Sequence, residues 1–330
     1  MRPFRSTTLP TADLYLHVSI QELVADGRRP AHEKPIARLG PHLYAGNGRA
    51  LLVRYATRME LWRLARMRPG RCAWLIDDNL WALEEDPALP EDYRARLARF
   101  RERVVPRILS LCDTVVAPSE EILRHFPGHR TALIHPSSVH VCRDLSHFDN
   151  LPMIEAVFAG TRSHLPDLAV IADALRAVVE EHPRLRLTTF LGKHVPQVLQ
   201  GHERIINLPP MPWQRYREEL RTRRFHLGIA VFRDTLFNRS RSVNKILDHA
   251  AFGAAGIYTD APPFAPVVTH GENGVLAAPG ADLRNTLHVL LEDIDGLCRL
   301  AEGGVALASK LGNPGRNRAF WVDYFGLDAR

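Results

Sequence analysis

The chain has 330 residues, 45% hydrophobic and 24% charged, with a formal net charge of +6. That length and balance fit a globular protein of about two domains, and exclude a disordered chain, a collagen-like fibre and a small disulfide scaffold. No apolar run reaches the ~18–20 residues that span a bilayer.

The opening, MRPFRSTTLPTADLYLHVS, is basic but lacks the unbroken apolar core of a secretory leader. The four cysteines (Cys72, Cys112, Cys142, Cys298) are far apart in sequence with no CxxC pair. Zinc and a disulfide framework are therefore not expected, and reduced thiols in a cytoplasmic protein are. Of the 43 basic residues only Lys34, Lys193, Lys245 and Lys310 are lysine, a skew typical of a GC-rich genome. The positive charge permits binding to nucleic acid or an anionic membrane and establishes neither.

There is no internal repeat and no low-complexity tract. Arg49 to Tyr55 (RALLVRY) reads as a buried strand, followed by a basic helix from Met59 to Met67. Cys72 to Ile76 is a second strand, ending at Asp77 and Asp78. Glu91 to Leu111 reads as one amphipathic helix with Leu97, Phe100, Val104 and Ile108 on its apolar stripe, and Pro106 as a kink point. Thr114 to Ala117 and Thr131 to Ile134 are strands, and Ser119 caps a helix from Glu120. Periodicity lapses between His140 and Pro152, which marks a domain boundary near 150.

The second half opens with the strand Ile154 to Phe158, running into Ala159, Gly160 and Thr161. A helix over 167–182 and strands over 185–191 and 204–208 follow. A helix over 216–223 and the strand 227–232 come next. The polar run RDTLFNRSRSVNK leads into a helix from about Ser242 to Phe252, stopped by Gly253. Strands over 256–259 and 275–277 flank the turn HGENG, and helices fill about 283–310. The tail 317–327 is rich in aromatics. The alternation argues for an α/β protein with parallel sheets, whose ligands sit beyond the carboxyl ends of strands.

Three places can carry chemistry. The loop Asp234 to Lys245 opens a helix, whose amino-terminal amides attract phosphate. Ser240, Ser242 and Asn244 add side-chain donors, Lys245 a cation and Asp248 a carboxylate for vicinal ribose hydroxyls. The same residues equally describe a capped surface helix. The turn Gly160-Thr161 lets backbone approach a ligand, with Arg162 and His164 in reach of an anion; it also reads as a plain βα turn. Asp77, Asp78 and Asn79 end a buried strand, where a carboxylate serves as general base or holds acceptor hydroxyls unless it is simply solvated. They show no third carboxylate at metal-ligand spacing. His17 and His135 lie near strands and read first as structural. The helix bearing Arg58, Arg63, Arg66 and Arg68 with Leu61, Trp62, Leu64 and Met67 can lie on an anionic membrane or pack its apolar stripe on a sheet.

Four stretches together resemble a known family. KILDHAAFGAAGIYTDAPPFAPVVTHGENGVL (245–276), FAGTRSHLPDL (158–168), CDTVVAPSEEIL (112–123) and IDDNLW (76–81) are similar to the GT-B glycosyltransferases of family 4, the "glycosyl transferases group 1" type. The likeness covers roughly residues 50–310. It implies two Rossmann-like α/β/α domains facing across a cleft. Residues 1–150 would bind the acceptor, with the tail 312–330 packed back on them, and 151–311 would bind the nucleotide sugar. The family's Glu-x7-Glu motif would place its second glutamate at Asp248 and its first at Ser240, so the motif is not intact. The resemblance assigns the diphosphate to Arg162 and Lys245, with Lys193 and His164 in reserve. It assigns the base to the loop at Leu208 and Pro209, and adds Gly160, Thr161, Asn238 and Ser242 to the donor site. Asp77 and Asp78 would hold the acceptor, with Asp78, His135 and Lys245 in catalytic roles.

The implied reaction moves a sugar from a nucleotide sugar to a hydroxyl of a glycan, glycolipid or protein. It would be retaining, without an essential metal or other cofactor, in surface polysaccharide or glycan synthesis. The protein would be bacterial and cytoplasmic, with peripheral contact at the inner face of the plasma membrane. The competing reading is a GT-B binding subunit that has lost catalysis. A nucleic-acid partner is not expected, since no helix-turn-helix, zinc-finger or RRM signature appears. A nicotinamide oxidoreductase is disfavoured because no GxGxxG follows a strand.

Overall fold

The computed structural model describes residues 9–25, 34–149, 151–278 and 283–327. The first eight residues of the opening segment lie outside them. The chain forms two compact units. Unit 1 comprises Met1–Ser137, Ser240–Ser242 and Asn313–Arg330; unit 2 comprises Ser138–Arg239 and Val243–Gly312. Asn150, where the boundary is expected, is outside the described residues. The units part after Ser137 because the segment beyond it is tied to unit 2: the Cys142 amide donates to Ala250 O at 3.0 Å, and His147 Nε2 lies 3.0 Å from Phe225 O.

In unit 1 the described strands are β1 (Val24–Ala25), β2 (Ile36–Arg38), β3 (Leu43–Gly46), β4 (Arg49–Val53), β5 (Arg71–Leu75), β6 (Thr114–Ala117) and β7 (Arg130–Leu133), paired in that order. The sheet is mixed: β3 runs antiparallel to β2 and β4, and the other pairs are parallel. All four residues of β6 are buried, so its run TVVA carries no alternation. β4 stops two residues before the expected Tyr55, because Arg54 turns to a left-handed φ of 65°. The expected single helix over 91–111 is two, Glu91–Arg103 and Val105–Leu109, broken at Val104 so that Pro106 falls in the first turn of the second. The fold also brings two cysteines together that sequence keeps forty residues apart: the Cys72 and Cys112 sulfurs are 3.0 Å apart as free thiols.

The aromatic tail is a helix, Pro314–Phe325, and belongs to unit 1. Trp321 is fully buried, with its indole N–H donating to Tyr15 O at 2.6 Å; the Tyr324 hydroxyl donates to Ala50 O on β4 at 2.6 Å.

Unit 2 holds β8 (Ile154–Phe158), β9 (Leu185–Thr189), β10 (Ile205–Asn207), β11 (Leu227–Ala230), β12 (Ala255–Thr259) and β13 (Val275–Ala277). All described pairings are parallel, in the order β10-β9-β8-β11-β12-β13. Counted within the unit this is 3-2-1-4-5-6, the doubly wound order. Its helices are Leu165–Glu181, Trp213–Thr222, Leu236–Arg239, Asn244–Phe252, Leu283–Glu292 and Ile294–Leu311. Phe158, Leu168, Ile171, Leu187, Ile229 and Ile257 pack one core between sheet and helices. Gly253, at φ 74°, ends the helix Asn244–Phe252 in the left-handed cap that glycine adopts without strain.

Trp321→Ala is expected to remove a fully buried indole and leave the Tyr15 carbonyl unpaired, lowering stability by about 3–5 kcal/mol in chemical denaturation. An unchanged midpoint would show that the tail is not part of the unit 1 core.

Candidate functional site

Strand order locates the site in unit 2. Between β8 and β11 the winding reverses direction, so the loops leaving their carboxyl ends diverge and open a crevice. Those loops are 159–164 and 231–243.

One carboxylate fastens them together. Asp167 lies in the first turn of Leu165–Glu181 and is 1% exposed. Its Oδ1 accepts from Asn238 Nδ2 at 2.8 Å and from the Arg233 amide at 3.1 Å, and is ion-paired to Arg233 Nε at 3.4 Å. Its Oδ2 is 3.3 Å from His164 Nδ1. The His164 ring lies on Phe232 with centroids 4.7 Å apart. Gly160 fits this corner for want of a side chain: a Cβ there would stand 2.7 Å from the Phe158 ring and 3.1 Å from His164 Cβ. Asn238 is buried; its Nδ2 also reaches Arg233 O at 2.9 Å, while its Oδ1 has no hydrogen-bond partner. Phe232, Arg233, Asp234, Asn238 and Thr259 line a small concavity here. Thr161 and Arg162, on the loop leaving β8, are exposed, and Arg162 has no ion pair among the described residues.

A second cluster sits on the helix Asn244–Phe252. Lys245 Nζ donates to Asp248 Oδ2 at 2.8 Å, and the Tyr216 hydroxyl donates to the same oxygen at 3.1 Å. Asp248 is 3% exposed. Burial first, and the Asp248 carboxylate next, hold the Tyr216 phenol well above its ordinary pKa, so it stays a donor. The helix begins at Val243 with no side-chain cap, and Asn244 Oδ1 is buried without a hydrogen-bond partner. Its first amides are therefore not closed by a side chain. Behind β9, Gly192 takes φ 55° and its amide bonds Leu208 O at 2.8 Å, joining the two loops that carry Lys193 and Leu208. Lys193 is exposed and Leu208 half-buried.

Unit 1 has its own polar cluster, at the carboxyl ends of β4 and β5. Arg54 pairs with Asp77 at 3.4 Å and more closely with Asp78. Thr11 Oγ1 donates to Asp77 Oδ2 at 2.7 Å. Burial pushes the Asp77 carboxyl up, opposed by Arg54 and reinforced by Asp78. The left-handed backbone at Arg54 is a strained position for a non-glycine residue, held here by the two carboxylates. Ser242 hydrogen-bonds Tyr15, and the buried Ser240 hydroxyl accepts from Asn79 Nδ2 at 3.0 Å; all four residues belong to unit 1. His135 is half-buried, with a pKa lowered by burial and by Arg316, and its carbonyl accepts from Asn317 at 2.7 Å.

No protein-family model matches the chain, and no curated protein matches it in sequence. Solved structures do match its fold. Sucrose-phosphate synthase from Thermosynechococcus elongatus superposes with TM-score 0.56 at 14% identity, over 84% of this chain and 73% of that one. HepE from Anabaena gives TM-score 0.58 at 15% identity, over 84% and 77%. TarM gives 0.57 at 8% identity, over 83% and 54%. These are GT-B glycosyltransferases, and their two Rossmann-like domains correspond to the sheets of seven and six strands here. The fold is GT-B.

Within this GT-B chain the residues singled out in the sequence fall into distinct groups. Lys245 and Asp248 are paired. Gly160, His164 and Asn238 meet around Asp167. Asp77 and Asp78 meet on Arg54. Ser240 and Ser242 are engaged with Asn79 and Tyr15, and His135 is fixed through its carbonyl. Asp167, Arg233, Tyr216 and Arg54 were not singled out. Asp167 had a faint signal, an acidic residue in the first turn of a helix just past a glycine turn.

Asp167→Ala should cost about 3–5 kcal/mol, because it leaves the Arg233 and Asn238 donors buried without their acceptor. Asp167→Asn should cost less, since the amide keeps the shape and one acceptor. Equal, small losses in urea unfolding would show that the carboxylate does not hold the two loops.

Two histidines of unit 2 set a pH dependence. Burial, with Lys245 adding, lowers His249 to about 3, and burial lowers His226 to about 4. Both are neutral in the folded chain and protonate near pH 6.5 when it unfolds. The unfolded chain thus binds more protons below that pH, and stability falls as pH drops from about 6.5 toward 4. His249→Phe should reduce the slope by about 1.4 kcal/mol per pH unit; a slope equal to the parent's would contradict the assignment.

Proposed function

We propose that this protein transfers a sugar from a nucleotide-sugar donor to an acceptor hydroxyl. The observation that carries the reading is the crevice of unit 2: strand order 3-2-1-4-5-6, two loops fastened by Asp167 at the reversal, and an uncapped helix bearing Lys245 and Asp248. In this reading the open amides at Asn244, the Lys245 ammonium and the exposed Arg162 guanidinium stabilise charge on the departing diphosphate as the sugar gains oxocarbenium character. Asp248, steadied by Tyr216, accepts from ribose hydroxyls. The acceptor hydroxyl is held by the carboxylates at Asp77 and Asp78, where a carboxylate can take the hydroxyl proton. Retention of configuration and independence of a metal follow from the family resemblance and belong to the proposal, as does a role in glycan or surface polysaccharide synthesis.

A second reading, donor binding without turnover, is favoured by Ser240. It stands where the family motif has its first glutamate, yet it is buried against Asn79.

The test is a thermal-shift and calorimetric screen against UDP, GDP, ADP, CDP and TDP. The Anabaena HepE structures are complexes with UDP and glucose and with UDP-glucose, which makes UDP the first probe. One diphosphate should raise the melting temperature by mass action. Lys245→Ala and Asp248→Ala should each weaken that binding about tenfold or more. Release of the nucleoside diphosphate, unaffected by a chelator, with the sugar recovered on an added acceptor hydroxyl rather than as free sugar from attack by water, marks transfer; binding without release marks the second reading. No response to any nucleotide sinks both.

A further inference from the structure

The proposed reaction uses the carboxyl ends of the unit 2 strands. At the other end of the same sheet, just ahead of β9, two helices bring together a pair of histidines that sequence keeps 106 residues apart. His182 caps the carboxyl end of the helix Leu165–Glu181, and His288 lies on the helix Leu283–Glu292. His182 Nε2 and His288 Nδ1 are 2.5 Å apart, with ring centroids at 4.6 Å.

A carboxylate sets the tautomer of one ring. His288 Nε2 lies 2.8 Å from Glu181 Oε2, so the ring proton sits on Nε2 and Nδ1 turns a lone pair toward His182. Arg284 Nε donates to the same carboxylate oxygen at 3.0 Å and holds it in place. Two imidazole nitrogens approach this closely only with something positive between them, a shared proton or a metal cation. Burial, and His288 next, lower the pKa of His182 against the opposing pull of Glu181 and Glu292, which favours the neutral, ligating ring. The His288 side chain is 29% exposed and His182 is half-buried, so the pair is open to an ion from solvent.

We propose that His182 and His288 form a binding site for a borderline divalent transition metal, with Zn2+ as the probe. Imidazole suits such ions, whereas Mg2+ and Ca2+ seek oxygen. A carboxylate behind the ligating ring orients a metal-bound histidine and raises its basicity, which is the place Glu181 holds. Zinc–nitrogen bonds of about 2.0–2.1 Å at a tetrahedral angle set the two nitrogens about 3.3 Å apart, a small turn of either ring away. Among the described residues no group of three or more His, Cys, Asp or Glu side chains is assembled to hold a metal. Water therefore completes the coordination, and the site exchanges its ion with solvent. A bound ion ties the end of Leu165–Glu181 to Leu283–Glu292 and takes no part in the transfer. Cysteine spacing gave no sign of it, because both ligands are histidines from distant helices.

The experiment is a calorimetric titration of the chelator-treated full chain with Zn2+ and, separately, with Mg2+. It is paired with acylation by diethyl pyrocarbonate and peptide mass mapping, since that reagent attacks an imidazole nitrogen only while the nitrogen is unligated. Zinc should bind saturably and magnesium should not. In the parent chain zinc should slow acylation of His182 and His288 at least tenfold, while the exposed His194 keeps its rate. His182→Gln and His288→Gln should each weaken zinc binding about tenfold or more, and Glu181→Gln, which keeps the hydrogen bond without the charge, by about tenfold. His194→Gln should leave it unchanged, and circular dichroism should show every variant folded. The mapping on the parent needs no variant. The proposal is overturned if zinc does not bind saturably, if zinc protects His194 as strongly as the pair, or if His182→Gln binds zinc as the parent does. A pair that only shares a proton would be acylated at the same rate with and without zinc.

Discussion

Two loops that leave a sheet in opposite winding directions have no reason of their own to stay together. In unit 2 the Asp167 carboxylate supplies that reason. It is almost wholly dry, and a dry carboxylate is tolerable only with donors on its oxygens. The donors come from the β11 loop, and His164 comes from the β8 loop. Moving either loop away would strand a charge, so the crevice is held open at a fixed width by the penalty for breaking it. The concavity, the placement of Gly160 and the burial of Asn238 all follow from this pairing.

Unit 1 solves a similar problem with the opposite sign. Arg54 stands at the end of β4 in a backbone conformation it would not choose, bridging two carboxylates at the end of β5. Two adjacent acids there would repel; the guanidinium between them lets both approach. The cluster is thus one guanidinium shared by two carboxylates, its components coming from the ends of separate strands. The same economy explains Lys245 and Asp248, where cation and carboxylate share one turn and the hydroxyl of the half-buried Tyr216 donates to the same oxygen.

Legibility in the sequence tracked the physics of burial. β6, β8 and β13 are where apolar runs placed them, since a strand covered on both faces needs a continuous run. β1, β2 and β3 were missed: at two to four residues they are too short for a pattern, and their pairing is set by tertiary contact. The helix over 91–111 was read as one because its apolar stripe continues past Val104, while the backbone breaks there. At the site, the sequence placed Lys245 and Asp248 near each other as two separate ligand groups, and only the fold shows them paired with each other. Asp167 was not legible, since periodicity assigns a polar residue in an apolar helix to the solvent side. Nor was the destination of Ser240: a hydroxyl in a polar loop looks available for a ligand, and only the fold shows it facing Asn79.

The chain passes between units four times, after Ser137, Arg239, Ser242 and Gly312. Unit 1 therefore has its first strands early in the sequence and a fully buried indole, Trp321, more than three hundred residues after the Tyr15 carbonyl it bonds. During synthesis the residues of unit 2 are all exported while unit 1 still lacks the helix that closes it. The second unit can reach its native core first, and the first must wait in an unsealed state with the Tyr15 carbonyl and β4 uncovered. The contact that closes unit 1 thus joins residues made before and after the whole of unit 2.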